Sequence, residues 1–205
     1  MLEIIVVRHG QSVADIEKRF EGRADFSLTD LGVQQAKKLS IWIKNNYPPN
    51  YIISSPLKRA SETAEIIGKK CIKEVEYDDD LMELNTGLLA GMLKAEANEK
   101  YPLPKGGHKP YEDILGGESL IEFRSRAEKF WSKLIFKFSK DTSDKRILIV
   151  SHGGMIDMLF RCFLNLPMNT NVGLCTGDTG VHIWKFNGDE KFIVVTNSLN
   201  HLSYD

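Results

Sequence analysis

Cysteine is scarce in this chain of 205 residues, which holds only three of them, at wide spacings. An odd number without a recurring spacing predicts neither a disulfide framework nor a zinc site. Free thiols are typical of proteins in a reducing compartment, so we expect a cytoplasmic location. The three positions are Cys71, Cys162 and Cys175.

An excess of charge of one sign is also missing, because 27 basic and 28 acidic residues leave a net charge of -1. This balance gives no overall positive field, so we expect no nucleic-acid partner and no binding to an anionic membrane. No apolar run approaches the roughly 20 residues that span a bilayer. The start, Met1-Leu2-Glu3, lacks the basic segment of a signal peptide.

Repeats, low-complexity tracts and linkers are absent from the sequence as well. We therefore expect a single domain over residues 1–205. At this length a domain buries roughly 70% of the surface that its unfolded chain exposes, which is enough for a sizeable core.

Two apolar runs that end in His-Gly are the strongest feature that is present. One covers residues 4–10 (Ile-Ile-Val-Val-Arg-His-Gly) and the other residues 147–154 (Ile-Leu-Ile-Val-Ser-His-Gly-Gly). Continuous, mostly β-branched runs are typical of strands buried on both faces of a parallel sheet. Ligands bind at the carboxyl ends of such strands. If the two strands are neighbours, His9 and His152 face each other across one pocket.

Helical and strand patterns alternate along the chain and predict an α/β fold, a three-layer α/β/α arrangement with a mostly parallel sheet. Apolar residues at steps of three and four predict helices after Thr29, from Ser119 and over residues 155–164. A short strand is predicted over residues 51–54. Ser55-Pro56 would then begin the helix that carries Arg59 in its first turn.

Two segments complete the predicted fold. Residues 181–186 and 191–196 read as strands joined by Asn187-Gly188-Asp189, a hairpin that adds one antiparallel strand at an edge of the sheet. Residues 78–118 are irregular and rich in glycine and proline, and we expect them to form an insertion over the active-site edge. The hairpin also offers an edge at which two copies could pair into a homodimer.

Four cationic or ionisable groups would meet at the predicted edge, namely Arg8, His9, Arg59 and His152. They would repel one another unless an anion lay among them, and guanidinium groups match phosphate oxygens in pairs. One neutral imidazole could attack phosphorus. The other, protonated, would stabilise the developing charge together with the arginines. The predicted ligand is therefore a small phosphorylated substrate.

Further groups complete this predicted chemistry. The amides of Gly10 and Gly153 would add hydrogen-bond donors for phosphate, the second at a helix start. The leaving oxygen needs a carboxylic acid nearby, whose pKa a bound dianion would raise. No carboxylate cluster of the metal-site type is visible, so we expect no metal and no cofactor.

Five short sequence blocks follow one another along nearly the whole chain. They are residues 8–12 (RHGQS), 22–36 (GRADFSLTDLGVQQA), 54–64 (SSPLKRASETA), 116–119 (GGES) and 150–154 (VSHGG). This series resembles the histidine phosphatase superfamily, also called the phosphoglycerate mutase-like family, in its phosphatase branch.

The resemblance implies a role for each matching residue. His9 would be the nucleophile that becomes a phosphohistidine, and Arg8, Arg59 and His152 would form the phosphate pocket. Glu83, in Leu81-Met82-Glu83-Leu84-Asn85, occupies the position of the proton donor. The remaining residues expected to bind substrate are Gly10, Ser12, Asp15, Gly22 and Gly153.

The chain departs from the family pattern at two places. Asp15 stands where the family commonly has asparagine, and an ionised carboxylate cannot donate to phosphate. Either Asp15 turns away to orient an arginine, or it is protonated, or the substrate lies differently. The segment after Glu83 often reads Gly-x-Trp-Glu-Gly in the family, whereas residues 87–91 here read Gly-Leu-Leu-Ala-Gly.

Three functions are compatible with these residues. The first is a metal-independent phosphomonoesterase, and the second is a phosphoglycerate mutase, which carries a longer insertion between the acid and the second histidine. The third is a catalytically silent phosphate-binding module. The interval of 69 positions from Glu83 to His152 (152 minus 83) and the GGES block at 116–119 favour hydrolysis. Retention of both histidines, both arginines and Glu83 argues against the silent module.

Overall fold

The computed structural model describes residues 1–138, 143–188 and 190–203, which form six strands, six helices and three short 3-10 turns. The strands are β1 (Leu2–Arg8), β2 (Tyr51–Ser54), β3 (Val75–Tyr77), β4 (Lys145–Ser151), β5 (Val181–Asn187) and β6 (Glu190–Ser198). The helices are α1 (Val13–Glu17), α2 (Asp30–Asn46), α3 (Lys58–Cys71), α4 (Lys94–Lys100), α5 (Leu120–Phe138) and α6 (Gly153–Phe163). The 3-10 turns are Asp79–Leu81, Gly87–Leu89 and Asn200–Leu202.

The strands form one sheet in the order β3-β2-β4-β1-β5-β6. β1 pairs with β4 in parallel, in a register that places Arg8 opposite Ser151, so the two His-Gly segments leave the sheet side by side. The predicted adjacency of these two strands is confirmed.

The strand that runs against the others is β5, which pairs antiparallel with β1 on one side and with β6 on the other. The antiparallel strand therefore lies one place inside the edge, and β6 forms the edge itself. Asp189 of the predicted hairpin turn lies outside the described residues.

Each face of the sheet carries its own layer of helices, because alternate residues of a strand point to opposite faces. From β1, Ile4 and Val6 pack with α5 and α6 on one face. Ile5 and Val7 pack with α2 and α3 on the other face. The predicted three-layer α/β/α architecture is confirmed.

The helix that carries Arg59 begins later than Ser55-Pro56 predicts. It starts at Lys58, and its N-cap position, Leu57, makes no side-chain cap. The hydroxyl of Ser55 instead accepts from the Leu57 amide at 3.3 Å and bonds to His152 at 2.8 Å. A residue that the sequence reads as a helix cap thus contributes to the site.

Residues 78–118 fold over the carboxyl edge of the sheet, as the irregular composition predicts. They contact the loop after α1: the Phe20 amide donates to the Met92 carbonyl at 2.9 Å, and the Lys94 amide to the Lys18 carbonyl at 2.9 Å. This packing encloses the ends of β1 and β4 between two loops.

Candidate active site

Two buried histidines lie at the centre of the candidate site. His9 follows β1 and His152 follows β4, both without solvent exposure, and their ring centroids are 5.1 Å apart. The His9 amide donates to the Ser151 carbonyl at 3.0 Å, which ties the two strand ends together. The sheet register therefore brings the imidazoles together as the two His-Gly motifs predict.

The hydrogen bonds of His9 define which ring nitrogen is reactive. Its Nδ1 lies 2.8 Å from the Gly10 carbonyl, and because a carbonyl can only accept, Nδ1 must carry the proton. Nε2 then keeps its lone pair, and it accepts a hydrogen bond from Nε of Arg59 at 3.3 Å. A tautomer with an unprotonated Nε2 is the one that a nucleophilic imidazole needs.

Arg59 is fully buried in the first turn of α3. Its two terminal nitrogens donate to the carbonyls of Gly22 and Ala24, each at 2.9 Å. Gly22 has a left-handed backbone (φ +46°), and a Cβ there would lie 2.2 Å from the hydroxyl of Thr86. Gly22 therefore orients Arg59 through its carbonyl and lets the loop approach residues 78–118 closely.

Arg8 lies at the mouth of the site with its side chain partly exposed. It donates to the Thr176 carbonyl at 3.0 Å and lies 3.6 Å from Asp15 and 3.3 Å from Asp178. Burial, with nearby negative charge, raises the pKa of Asp178, while Arg8 opposes that shift. Asp178 is a pocket residue that the sequence reasoning missed, since nothing in the local sequence connects it to Arg8.

Asp15 turns away from the imidazoles. One of its oxygens accepts from the amide of Ser12 at 2.8 Å, while the Ser12 hydroxyl oxygen accepts from the Asp15 amide, and the two bonds close a capping box at the start of α1. The other oxygen is the one nearest Arg8. Of the three alternatives for Asp15, this geometry agrees with orientation of an arginine.

Burial determines the protonation of both histidines. Desolvation, followed by the charge of Arg59, lowers the pKa of His9 to about 3. The same two causes hold the pKa of His152 well below its usual value. Both imidazoles are thus neutral near neutral pH. A bound dianion would counter these causes and favour the protonated His152 that the predicted chemistry requires.

Glu83 lies beside the start of α6. Its two carboxylate oxygens accept from the amides of Leu84 at 2.8 Å and Gly154 at 2.9 Å. Burial raises the pKa of this carboxyl, although both amides oppose the shift. A carboxyl with a raised pKa close to two neutral imidazoles is suited to donating a proton.

Arg126, on α5, holds the loop that carries Glu83, and sequence reasoning did not find it. It donates to the carbonyls of Asp80, Met82 and Glu83 at 2.8, 2.7 and 3.1 Å. It also pairs with the Glu118 carboxylate at 2.6 Å. Its only signal in the sequence was the quoted GGES block, which contains Glu118.

Glu21 is the third residue that the sequence reasoning missed. Its carboxylate lies 3.7 Å from Nε2 of His9 and 3.3 Å from Nε of Arg59, and it accepts from the Ser12 hydroxyl at 2.5 Å. The sequence placed it only within a long loop at the end of β1, where function is common.

The amide of Gly10 does not lie free for a ligand. It donates to the hydroxyl of Thr63 at 3.2 Å, and a Cβ at this position would lie 2.6 Å from the Gly32 carbonyl. Gly10 therefore serves the close packing of β1 against α2 and α3, because only glycine fits there, and its expected donation to phosphate is not supported. For Gly153, a Cβ would meet no atom within 4 Å.

No group of three or more histidine, cysteine or acidic side chains with the geometry of a metal site occurs among the described residues. In the same residues, no helix is both long and apolar enough to cross a membrane. Two imidazoles and two guanidiniums thus lie together at the carboxyl edge of a three-layer sheet, which is where ligands bind in folds of this class.

Comparison with known proteins agrees with this class. The family model of the histidine phosphatase superfamily (branch 1) matches residues 4–199. Phosphoglycerate mutase-like protein 4 of Arabidopsis thaliana is 32% identical over 206 residues, which cover 98% of this chain and 86% of that protein. The chain therefore belongs to the histidine phosphatase superfamily, which confirms the resemblance seen in its motifs.

Two solved structures are similar over nearly their whole length. Mycobacterial glucosyl-3-phosphoglycerate phosphatase, complexed with VO3, has a TM-score of 0.80 and 26% identity and covers 96% of this chain and 99% of that one. A phosphoserine phosphatase mutant of Entamoeba histolytica, in complex with phosphoserine, has a TM-score of 0.78 and 26% identity and covers 98% and 100%. As a histidine phosphatase, the chain is a phosphoric monoester hydrolase.

Proposed function

We propose that this protein hydrolyses small phosphomonoesters through a phosphohistidine on His9, without a metal or another cofactor, and that one domain spans residues 1–205. The observation that carries the proposal is the Nε2 lone pair of His9, held 3.3 Å from a buried guanidinium. Hydrogen-bond donors on three sides, from Arg8, Arg59 and His152, would stabilise the negative charge of a phosphate group bound there.

The first half-reaction follows from these positions. The Nε2 lone pair of His9 attacks phosphorus in line with the leaving oxygen, the P–N bond forms and the P–O bond breaks. Glu83 gives its proton to the leaving oxygen, so the alcohol departs neutral. His152 and the two arginines stabilise the charge on the oxygens that stay on phosphorus.

The second half-reaction returns the enzyme to its starting state. Glu83, now a carboxylate, takes a proton from water while that water attacks phosphorus and the P–N bond breaks. Inorganic phosphate leaves, and both His9 and Glu83 regain their starting protonation. Glu83 thus acts first as acid and then as base.

Trapping the intermediate tests this proposal. Rapid acid-free quench during turnover of labelled p-nitrophenyl phosphate should yield phosphate on His9 that is stable in base and released by acid. His9→Ala should abolish both the label and phosphate release, with an unchanged circular dichroism spectrum as the folding control. Label on a serine, or substantial turnover by the variant, would contradict the nucleophile assignment.

The substrate is proposed only by class. The two solved relatives are named for phosphoserine and for glucosyl-3-phosphoglycerate, while sugar phosphates, nucleotide-derived phosphates and a phosphorylated protein are further candidates. Residues 84–117 and the loop after Gly10 would set the choice. A panel of these esters compared by kcat/KM, with phosphoglycerate interconversion assayed in parallel, would separate the phosphatase from the mutase.

Location and assembly are proposals of the same kind. The three cysteines are all free, which supports the cytoplasm. β6 forms an edge of the sheet and carries exposed apolar side chains at Phe192, Ile193 and Val194, which supports pairing of two copies there. Light scattering after size-exclusion chromatography would give the mass and decide between monomer and homodimer.

A further inference from the structure

Glu21 places a negative charge inside a pocket built for anions. Its carboxylate contacts three groups at once: the Ser12 hydroxyl at 2.5 Å, Nε of Arg59 at 3.3 Å and Nε2 of His9 at 3.7 Å. Arg59 and His9 are the groups that the proposed phosphate would meet first. An internal carboxylate therefore already engages the Ser12 hydroxyl and the Arg59 guanidinium, two donors that an incoming dianion needs, and lies beside the nucleophilic nitrogen of His9.

The ionised carboxylate and a phosphate dianion cannot share these donors. The side chain of Glu21 is only 16% exposed, so water screens its charge weakly. Two anions in contact at such a site repel each other strongly, and neither can donate a hydrogen bond to the other. A protonated carboxyl has the opposite effect, because its hydroxyl donates to a phosphate oxygen.

The surrounding charges strengthen this conflict. Around the imidazoles, three carboxylates and the protonated Glu83 face two guanidiniums, and a third guanidinium, Arg126 on α5, acts on His152. The positive charge of the pocket is therefore already offset before any ligand enters. The groups around the imidazoles come from β1, α1, α3 and the loops after α1, before β5 and after β3, and the negative groups act on one another across the pocket. They are Arg8, Asp15, Glu21, Arg59, Glu83 and Asp178, and the two neutral imidazoles His9 and His152 complete the set.

We propose that Glu21 couples phosphate binding to proton uptake. Its ionised carboxylate occupies the phosphate pocket until a substrate binds, whereas its protonated form admits the phosphate group and donates a hydrogen bond to it. The inference rests on the proposed function only in that this pocket binds the phosphate of the substrate. In this role Glu21 makes the affinity for the oxyanion depend on pH, and it takes no part in the chemical step.

Equilibrium binding of sulfate tests this coupling, because sulfate stays a dianion over the whole pH range used. Titration calorimetry should show that wild-type protein binds sulfate at least about tenfold more weakly at about pH 8 than at about pH 5.5. Glu21→Gln, which keeps the shape and adds an amide donor, should bind at least about tenfold more tightly than wild type at about pH 8. Glu21→Ala should also bind more tightly there.

Proton counting separates Glu21 from the other titrating groups. Titrations in buffers of different ionisation enthalpy measure the protons taken up with sulfate, to which His152 also contributes. Wild type should take up about one proton more than Glu21→Gln at about pH 8. Glu17→Gln is the matched control, since Glu17 is more exposed and pairs with Arg19, and it should bind sulfate like wild type.

Two results would overturn the inference, in distinguishable ways. If both Glu21 variants bind sulfate no more tightly than wild type at about pH 8, with equal proton uptake, Glu21 merely orients Arg59 and the coupling is refuted alone. If wild type and variants all fail to bind sulfate at every pH, the anion pocket itself is refuted, and the proposed function fails with it.

Discussion

Alanine at Gly154 should displace Glu83, because the two residues touch. A Cβ at Gly154 would lie 2.4 Å from Oε1 of Glu83 and 3.1 Å from its carboxyl carbon. Ordinary contact begins near 3.4 Å, so the carboxyl must move by about 1 Å. The backbone at Gly154 is helical, and alanine is favoured over glycine there, so the helix itself is not weakened.

The size of the effect follows from the role proposed for Glu83. General acid catalysis contributes about 10²- to 10⁴-fold, and a misplacement of about 1 Å can cost about 10²-fold. We therefore expect Gly154→Ala to lower kcat/KM, which reports the transfer of phosphate to His9, by about 100-fold, or about 2.7 kcal/mol, for an alkyl ester such as O-phosphoserine. p-Nitrophenolate leaves without a proton, so kcat/KM for p-nitrophenyl phosphate should fall by less than about threefold.

The assay compares kcat/KM for the two esters in four proteins, because this ratio excludes the later hydrolysis step in which Glu83 acts as base. Besides wild type and Gly154→Ala, these are Glu83→Ala and the double variant. If Gly154→Ala acts through Glu83, it should cost little more once Glu83 has been removed, a coupling that the double-mutant cycle measures directly. Gly173→Ala is the control, since a Cβ there meets nothing closer than 3.6 Å.

Three outcomes would refute this reasoning. An equal loss on both esters would mean that Gly154→Ala disturbs the phosphate pocket rather than proton donation. Additive losses in the double variant would mean that the two residues act independently. Wild-type activity on O-phosphoserine would show that the carboxyl does not need its position beside α6.

Further predictions concern pH, the support of Glu83, and metals. Since burial lowers the pKa of His9 to about 3, its protonation should cause no loss of activity down to about that pH. In contrast, kcat/KM for O-phosphoserine should fall as pH rises through the raised pKa of Glu83, because the first half-reaction needs the protonated carboxyl. A pH–rate profile of Glu21→Gln isolates this fall, and its persistence in Glu83→Gln would contradict the assignment. Arg126→Met should remove the nearer of the two guanidiniums beside the Glu118 carboxylate and leave three loop carbonyls without their donor. We expect a cost of about 3 kcal/mol, which lowers Tm by about 6–12 °C in a calorimetric scan. An unchanged Tm would mean that Arg126 does not stabilise this loop. EDTA in excess should leave turnover unchanged, because side chains rather than a metal stabilise the negative charge of the phosphate. A loss of activity that a divalent metal restores would contradict the proposed mechanism.

The central strands were predictable because their signals are local. Residues 4–7 and 147–150 are uninterrupted apolar runs, and all eight side chains are fully buried. A short segment of this kind can reach low free energy only inside a sheet covered on both faces. The capping box at Ser119 likewise acts within one turn, and α5 begins at the next residue.

The motifs also placed the reacting groups near one another, because neighbouring parallel strands end at one edge. They did not indicate where each hydrogen bond goes. The Gly10 amide was expected to bind phosphate and instead donates to Thr63, 53 positions away. The Ser55 hydroxyl was expected to cap a helix and instead bonds to His152, 97 positions away.

Sequence patterns and the order of the motifs were therefore enough to indicate the sheet, its helical layers, the paired imidazoles and the family. Only the tertiary structure shows the contacts of Glu21, Asp178 and Arg126, and only there is Asp15 seen to face Arg8. The physical reason is the range of the forces involved. Periodicity and capping act over a few residues, whereas the desolvation and charge that set the protonation of this pocket arise only when distant segments enclose it.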